Sequence, residues 1–423
     1  MSQPHSLFAA CLPGLEPFLH AECAEIGLDA TQVAGGVEFA GDDDVVRRAC
    51  LWLGTASHVR IRLAQFRCRA LGELQRKASE IPWRDWLMAT VPLHLTARAR
   101  HSRVYHTGGI RERIFEAIGA TLRKPVSLVR TGEDGTPIES HVAIAVRFDG
   151  DECTISLDAS EAPLHRRGYR LDGRKAPLRE DIARALVLAS GHVATEDALL
   201  DPFCGSGTIA IEAAGRALGL PPGRLLRAPL HRTPRSNIDR WEALCAERRP
   251  PSGTIQPIHA SDRDRGAIEA VRANAERAGV LEAITATECA IAAHPWLQAG
   301  GAPERGVLVS NPPYGKRIGA RSGKARGGKS GGKDPLLPLF QTLGAKLKVL
   351  GSGWRTALLT QDVRLARRTG AKLSAGFTTK HGGLNVTALR TDRSADGSKP
   401  GDPTGREERN PADTDAREPR VKQ

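Results

Sequence analysis

Asn311, Pro312, Pro313 and Tyr314 are the residues of this chain whose types and spacing point most directly to chemistry. Two consecutive prolines fix φ and remove two backbone donors, so the backbone there offers rigid carbonyl acceptors. The Asn311 side-chain oxygen and the Pro312 carbonyl can together accept both N–H groups of a planar amine. Such a clamp draws the nitrogen lone pair toward an incoming methyl group, and Tyr314 is placed to stack on the ring that carries the amine. Paired catalytic carboxylates and a Cys–His pair are not visible, so positioning has to supply most of the catalysis.

The second such stretch is Leu199 to Glu212, LLDPFCGSGTIAIE. Leu199 and Leu200 continue an apolar run, as in a buried parallel strand, and Thr208 to Ala214 has the spacing and the residue types of a helix. Between them Gly205 and Gly207 let the backbone turn sharply and approach a ligand closely. The turn then lies at a helix N-terminus, which favours an anionic group. A P-loop would need a lysine that this loop lacks, and GxGxxG fails at Ala210. The ligand expected is therefore polar but not phosphorylated, and S-adenosyl-L-methionine fits, with its carboxylate at the helix N-terminus.

These two stretches need a frame of successive strands, and the chain supplies one. IQPIHASDRDRGAIEAVRANAERAGV reads as strand, acidic turn and helix, with Asp262 at the strand's carboxyl end. An open α/β sheet makes its ligand contacts there, and an acid can accept both ribose hydroxyls. Asp264 is a candidate helix cap. ITATECAI is a third strand, whose Glu288 or neighbouring Cys289 would edge the adenine, and GVLVS carries Asn311. LSAGFTTKHGGLNVTALR reads as a terminal hairpin.

The front half alternates short strand-like and helix-like pieces. Residues 6–62 are expected to form a small α+β unit of ferredoxin-like size, with Asp42 to Asp44 as cap candidates rather than a metal site. Residues 63–160 form a second α+β unit, closed by two strands around an Asp-Gly turn. Arg98, Arg100, His101, Arg103, Arg111 and Arg113 crowd one strand end and one helix start, a candidate phosphate-contact surface. LHRRGYR, which holds Arg166, Arg167 and Tyr169, is too basic and glycine-broken for a core element. It is expected to carry substrate or to close the cofactor pocket. The three tyrosines, Tyr105, Tyr169 and Tyr314, all fall in these suspected substrate segments.

The proline-rich, basic run 217–253 is expected to be an insertion over a face of the catalytic domain, with a short helix around Trp241. Residues 319–334 are glycine-rich and basic, either ordering on a polyanion or forming a solvated loop. Residues 391–423 hold almost no apolar side chain and are expected to be a disordered tail.

A length of 423 residues allows about three domains of ~150 each. The net charge of +13 and a pI near 9.7 point to a polyanionic partner, nucleic acid first. Eight cysteines are scattered without a CxxC pair, which suits a reducing cytoplasm and no structural metal. No basic leader is present, and no run approaches the ~18 apolar residues of a membrane span. A soluble, cytoplasmic protein is expected, of unknown oligomeric state.

DPFCGSGTIAIEAA with SNPPYG, preceded by LHRRGYR and KAPLRE, resembles the RNA guanine-N2 methyltransferases that carry an N-terminal THUMP domain. The likeness runs over residues 6–390 and is greatest to members acting on large-subunit (23S) ribosomal RNA. It implies a Rossmann-like class I methyltransferase domain at 161–390, after a ferredoxin-like domain at 1–62 and a THUMP domain at 63–160. It further implies that Asp201, Cys204, Gly205, Ser206, Gly207 and Thr208 line an S-adenosyl-L-methionine pocket, that Asp262 takes the ribose, and that Asn311 to Tyr314 hold the guanine amine. Substrate contacts are expected from Arg103, Tyr105, Arg166, Arg167 and Tyr169. Transfer RNA, adenine N6 and a non-catalytic RNA-binding role are the rival expectations.

Overall fold

The structure, a computed structural model, describes residues 4–132, 137–171, 177–313 and 334–391. The front half is one seven-stranded sheet in the order β2-β3-β1-β4-β7-β6-β5. Its strands are β1 (His5–Cys11), β2 (Ala30–Val33), β3 (Gly36–Gly41), β4 (Ala56–Arg67), β5 (Leu93–Arg100), β6 (Val142–Asp149) and β7 (Glu152–Asp158). The helices are α1 (Glu16–Glu25), α2 (Asp43–Trp52), α3 (Leu71–Ser79) and α4 (Thr107–Leu122). β6, parallel to β5 and antiparallel to β7, alternates buried and accessible positions, as a strand with one covered face must. The Asp-Gly turn joins β6 to β7 with Gly150 at φ +60°. Asp42 caps α2 by accepting from the N–H groups of Asp44 and Val45.

The expected boundary at 62/63 falls inside β4. That strand pairs with β1 on one side and β7 on the other, so the two front units share an unbroken sheet.

The second sheet has the order β10-β9-β8-β11-β12-β14-β13. It comprises β8 (Ala198–Asp201), β9 (Ile258–Asp262), β10 (Ile284–Glu288), β11 (Gly306–Ser310), β12 (Trp354–Thr360), β13 (Ser374–His381) and β14 (Leu384–Arg390). From β10 to β12 all pairs are parallel, and β14 runs antiparallel to β12 and β13. Every residue of β8 and β11 is buried, as in a sheet covered on both faces. The covering helices include α5 (Glu180–Ala189), α6 (Thr208–Ala217), α8 (Arg265–Arg277) and α9 (Leu337–Val349), with α7 (Ile238–Cys245) and α10 (Val363–Arg367) shorter. This is the doubly wound, Rossmann-like order with an antiparallel terminal hairpin. No helix among the described residues is long and apolar enough to cross a membrane.

The proline-rich run departs from expectation. Instead of lying over the second sheet, it braces the first: Trp241 and Leu244 join the front-half core, and Gly223 N–H donates to Leu51 O at 2.8 Å. Arg235 and Arg240 pair with Asp43 and Asp44 in the first turn of α2, at 3.0 and 2.6 Å. Acids at a helix N-terminus are already favoured there, and the arginines neutralise them from outside. Residues 314–333, which include most of the glycine-rich basic segment, and 392–423 lie outside the described residues.

Candidate active site

β8 and β11 lie side by side with α6 following one and the Asn311-Pro312-Pro313 segment following the other. The strand order reverses between them, and an open α/β sheet binds its ligand at such a point. Backbone bonds fix the loop between β8 and α6. Cys204 N–H donates to Ser261 O at 3.0 Å, Gly207 N–H to Cys204 O at 2.8 Å, and Gly205 N–H to Asp262 Oδ2 at 3.1 Å. Gly205 and Gly207 sit at φ +53° and +84°, the left-handed region that favours glycine. A Cβ on Gly207 would also stand 3.0 Å from Val271 Cγ1.

An open cleft lies above this loop. Asp201, Phe203 to Ser206, Thr208 and Ile209 form its floor, Pro177 and Leu178 one wall, and Asn311 another. Asn311 Oδ1 is buried and has no hydrogen-bond partner among the described residues. A buried, unpaired acceptor costs free energy, so its presence here needs a reason.

Asp201 is 1% exposed. Its Oδ1 accepts from Ser310 Oγ at 2.5 Å and from Phe203 N–H at 3.3 Å. Burial pushes its carboxyl up to about 7; the two hydrogen bonds pull it down and Asp262 raises it further. Burial also pushes the Cys204 thiol well above its ordinary value, which leaves it a neutral lining group. Asp262, half-buried, spends one lone pair of each oxygen on backbone, Oδ2 on Gly205 and Oδ1 on Asp264 N–H at 3.0 Å. A carboxylate keeps about two more acceptor sites. Glu288 pairs in register with Asp262 and is exposed. Pro312 is buried, Pro313 is half-buried, and Tyr314 lies outside the described residues.

Of the residues expected to touch substrate, the structure separates two groups. Arg103, Tyr105 and Arg166 are exposed, Tyr105 at 77%. Arg167 and Tyr169 are a correction, because they are 2% and 3% exposed and face inward. Arg167 donates to Leu164 O at 2.5 Å and to Gly54 O, and approaches Glu212 Oε1 at 3.4 Å. LHRRGYR runs along the junction of the two sheets with alternate side chains in and out. Its inward arginine meets a carbonyl of the front half at Gly54, one of its own segment at Leu164 and a carboxylate of α6. A desolvated guanidinium needs such partners and cannot reach a solvent-side ligand.

Other supports of the loop gave no such signal in the sequence. Asn274 Nδ2 on α8 donates to Ser206 O at 3.0 Å, and Arg277 Nη2 holds Asn274 Oδ1 at 2.5 Å. Arg170 ties Thr208 Oγ1 and Leu178 O, at 3.1 and 2.8 Å, closing one wall onto the first turn of α6. Helical spacing of three between Asn274 and Arg277 was readable, but their partner lies about seventy residues back. Asp264 caps α8 through Gly266 N–H at 2.9 Å.

Fold and cleft together define a Rossmann-like α/β domain of the methyltransferase type. The chain belongs to the family of RMKL-like methyltransferase domains, whose model matches residues 167–383, and residues 6–60 match an RlmL ferredoxin-like domain. "Ribosomal RNA large subunit methyltransferase K/L" of Syntrophotalea carbinolica is 31% identical over 408 residues, covering 93% of this chain and 54% of that protein. The chain spans about half the length of the curated relatives it matches. A predicted N6-adenine-specific DNA methylase from Listeria monocytogenes superposes with a TM-score of 0.76 at 27% identity, over 91% of this chain and 96% of that one. A protein crystallised with SAH (S-adenosylhomocysteine) superposes with a TM-score of 0.75 at 22% identity, over 92% and 98%.

Proposed function

We propose that this chain is an S-adenosyl-L-methionine-dependent RNA methyltransferase acting on the exocyclic N2 of a guanosine in large-subunit (23S) ribosomal RNA. The observation that carries the reading is Asn311 Oδ1, a buried acceptor at the wall of the cleft with no partner among the described residues. An exocyclic amine has the N–H donor that would satisfy it. The names of the ribosomal RNA relatives support the substrate class, and the net charge of +13 suits it.

The residues present fit the cofactor. The N-terminus of α6, at Thr208, would take a carboxylate, Asp201 an amino group, and Asp262 the ribose hydroxyls, with Glu288 or Cys289 beside the adenine. S-adenosyl-L-methionine supplies, when bound, a sulfonium methyl that a nitrogen lone pair can attack. Asn311 Oδ1 and the Pro312 carbonyl accept the two amine hydrogens, which rotates the lone pair out of conjugation toward that methyl. The prolines hold both acceptors rigidly, so little reorganisation is needed at the moment of transfer. Tyr314 stacks on the base, which must be looped or flipped out of any helix to reach the cleft.

Residues 63–160 act as a THUMP-type RNA-binding unit in this reading, and the enzyme works in the cytoplasm. Arg103, Tyr105 and Arg166 are the candidate RNA contacts because they are exposed. Adenine N6 is the second reading, favoured by the name of the Listeria structure. Incubation of the full chain with labelled S-adenosyl-L-methionine and fractionated RNA, followed by nucleoside mass spectrometry, tests both. N2-methylguanosine in the 23S fraction is expected; N6-methyladenosine, or label confined to transfer RNA, would replace the reading.

A further inference from the structure

Ser310 ends β11 with 0% exposure, one residue before Asn311. Its Oγ donates to Asp201 Oδ1 at 2.5 Å, the length of a strong hydroxyl–carboxylate bond. The backbone pairing of β8 with β11 ends at Leu200 and Leu308. Past that level β8 stays paired with β9 through Asp201 and β11 with β12 through Ser310, and the Ser310 hydroxyl joins the two strand ends just before the glycine loop and Asn311-Pro312-Pro313. The same Asp201 oxygen takes Phe203 N–H, so a single carboxylate oxygen joins the loop to the β11 end. Consecutive Cα atoms are about 3.8 Å apart, so the anchor holds the backbone from which the Asn311 side chain springs.

We propose that Ser310 is a positioning residue: its hydroxyl, tied to Asp201, sets where Asn311 stands relative to the cofactor-holding end of β8. The proposal rests on the amine-accepting role of Asn311. The opposite view is that Ser310 only satisfies a buried carboxyl. That role would cost stability and cofactor affinity together and leave turnover of the folded enzyme unchanged. A positioning role instead lowers kcat at unchanged KM. The hydroxyl holds the Asp201 carboxyl down under either view, so the split between kcat and KM decides between them. The other titratable or charged groups that face Asp201 among the described residues are Asp262 at the end of β9 and Cys204 in the loop.

The test uses the full chain, tritiated S-adenosyl-L-methionine and protein-free 23S ribosomal RNA. Ser310→Ala is expected to lose about ten- to a hundredfold in kcat, the scale of a sub-ångström to 1 Å misplacement. At a pH well above the Asp201 titration, RNA KM and the cofactor Kd should stay within about twofold, since neither ligand loses a contact there. The acid limb of kcat should shift to higher pH, and Ser310→Thr, which keeps the hydroxyl, should restore both. Wild-type kcat in Ser310→Ala, or a kcat loss matched by loss of cofactor binding, overturns the proposal. If the alanine variant does not fold, Ser310→Cys decides: reduced kcat at an unchanged melting temperature supports the proposal and full kcat refutes it. The underlying reading fails separately, when the wild-type enzyme transfers no methyl to RNA or Asn311→Ala does so at the wild-type rate.

Discussion

Replacing Asn311 by alanine should improve the free protein while disabling it. The Asn311 oxygen is buried without a partner among the described residues, and an unsatisfied buried acceptor costs about 1–3 kcal/mol. Deleting it returns that cost, set against roughly 1 kcal/mol of lost packing from a half-buried side chain. The folded state should therefore gain between 0 and about 2 kcal/mol. In the transition state the same oxygen accepts a hydrogen from a nitrogen on which positive charge develops. Losing one preorganised partner of that kind costs about 3–4 kcal/mol, a 10²–10³-fold drop in kcat. Cofactor affinity should change by less than about threefold, since the lost contact is to the amine. Thermal melting, calorimetry with SAH and single-turnover methyl transfer measure the three quantities. A variant that keeps its turnover, or that melts several degrees lower than wild type, refutes the reasoning.

Three further outcomes are expected. The Asp201 carboxyl rises from 3.8 to about 7 on folding, so between those values the folded state holds a proton that the unfolded chain has lost. Stability from this group is full below about pH 4 and falls as pH rises to about 7, by about 4 kcal/mol in total; urea titrations should show the slope in wild type and a flatter one in Asp201→Asn, and parallel slopes would discard it. Gly207→Ala forces a Cβ to φ +84° and to 3.0 Å from Val271, costing about 1–3 kcal/mol and weakening SAH binding in calorimetry. Arg167→Met leaves Glu212 buried without its cation and should cost about 3–5 kcal/mol in denaturation. Were Arg167 an RNA contact, the variant would melt normally and lose RNA affinity instead.

How far the site could be read in advance differed residue by residue. Asp201, Gly205, Gly207 and Asn311 could be placed at strand ends because a parallel α/β sheet puts its ligand side at the carboxyl ends, and each strand was short, apolar and followed by a turn residue. LHRRGYR misled at Arg167 and Tyr169 because composition reports polarity and not direction. Arg167 finds its partners in Glu212, Leu164 and Gly54, at 45, 3 and 113 residues away, and Tyr169 in Glu212, 43 residues away. The β4 strand hid the continuity of the front sheet, since its twelve residues read as one more piece until β1 and β7 were seen to share it.

The sequence by itself determined what depends on neighbours in the chain. The left-handed glycines of the loop, the Asp42 and Asp264 caps, the Asp-Gly hairpin and the rigidity of Pro312 and Pro313 follow from local dihedral and hydrogen-bonding preferences. Motif order along the chain then fixed which strand end carries which group. Only the tertiary structure decided which basic residues face solvent, where the proline-rich run docks, that Asn311 Oδ1 lies buried and unpaired among the described residues, and that Ser310 meets Asp201. These outcomes rest on desolvation and on pairs separated by more than a hundred residues, as with Ser310 and Asp201 at |i−j| = 109. A burial or a contact of that range is a property of packing, and no local pattern of residues encodes it.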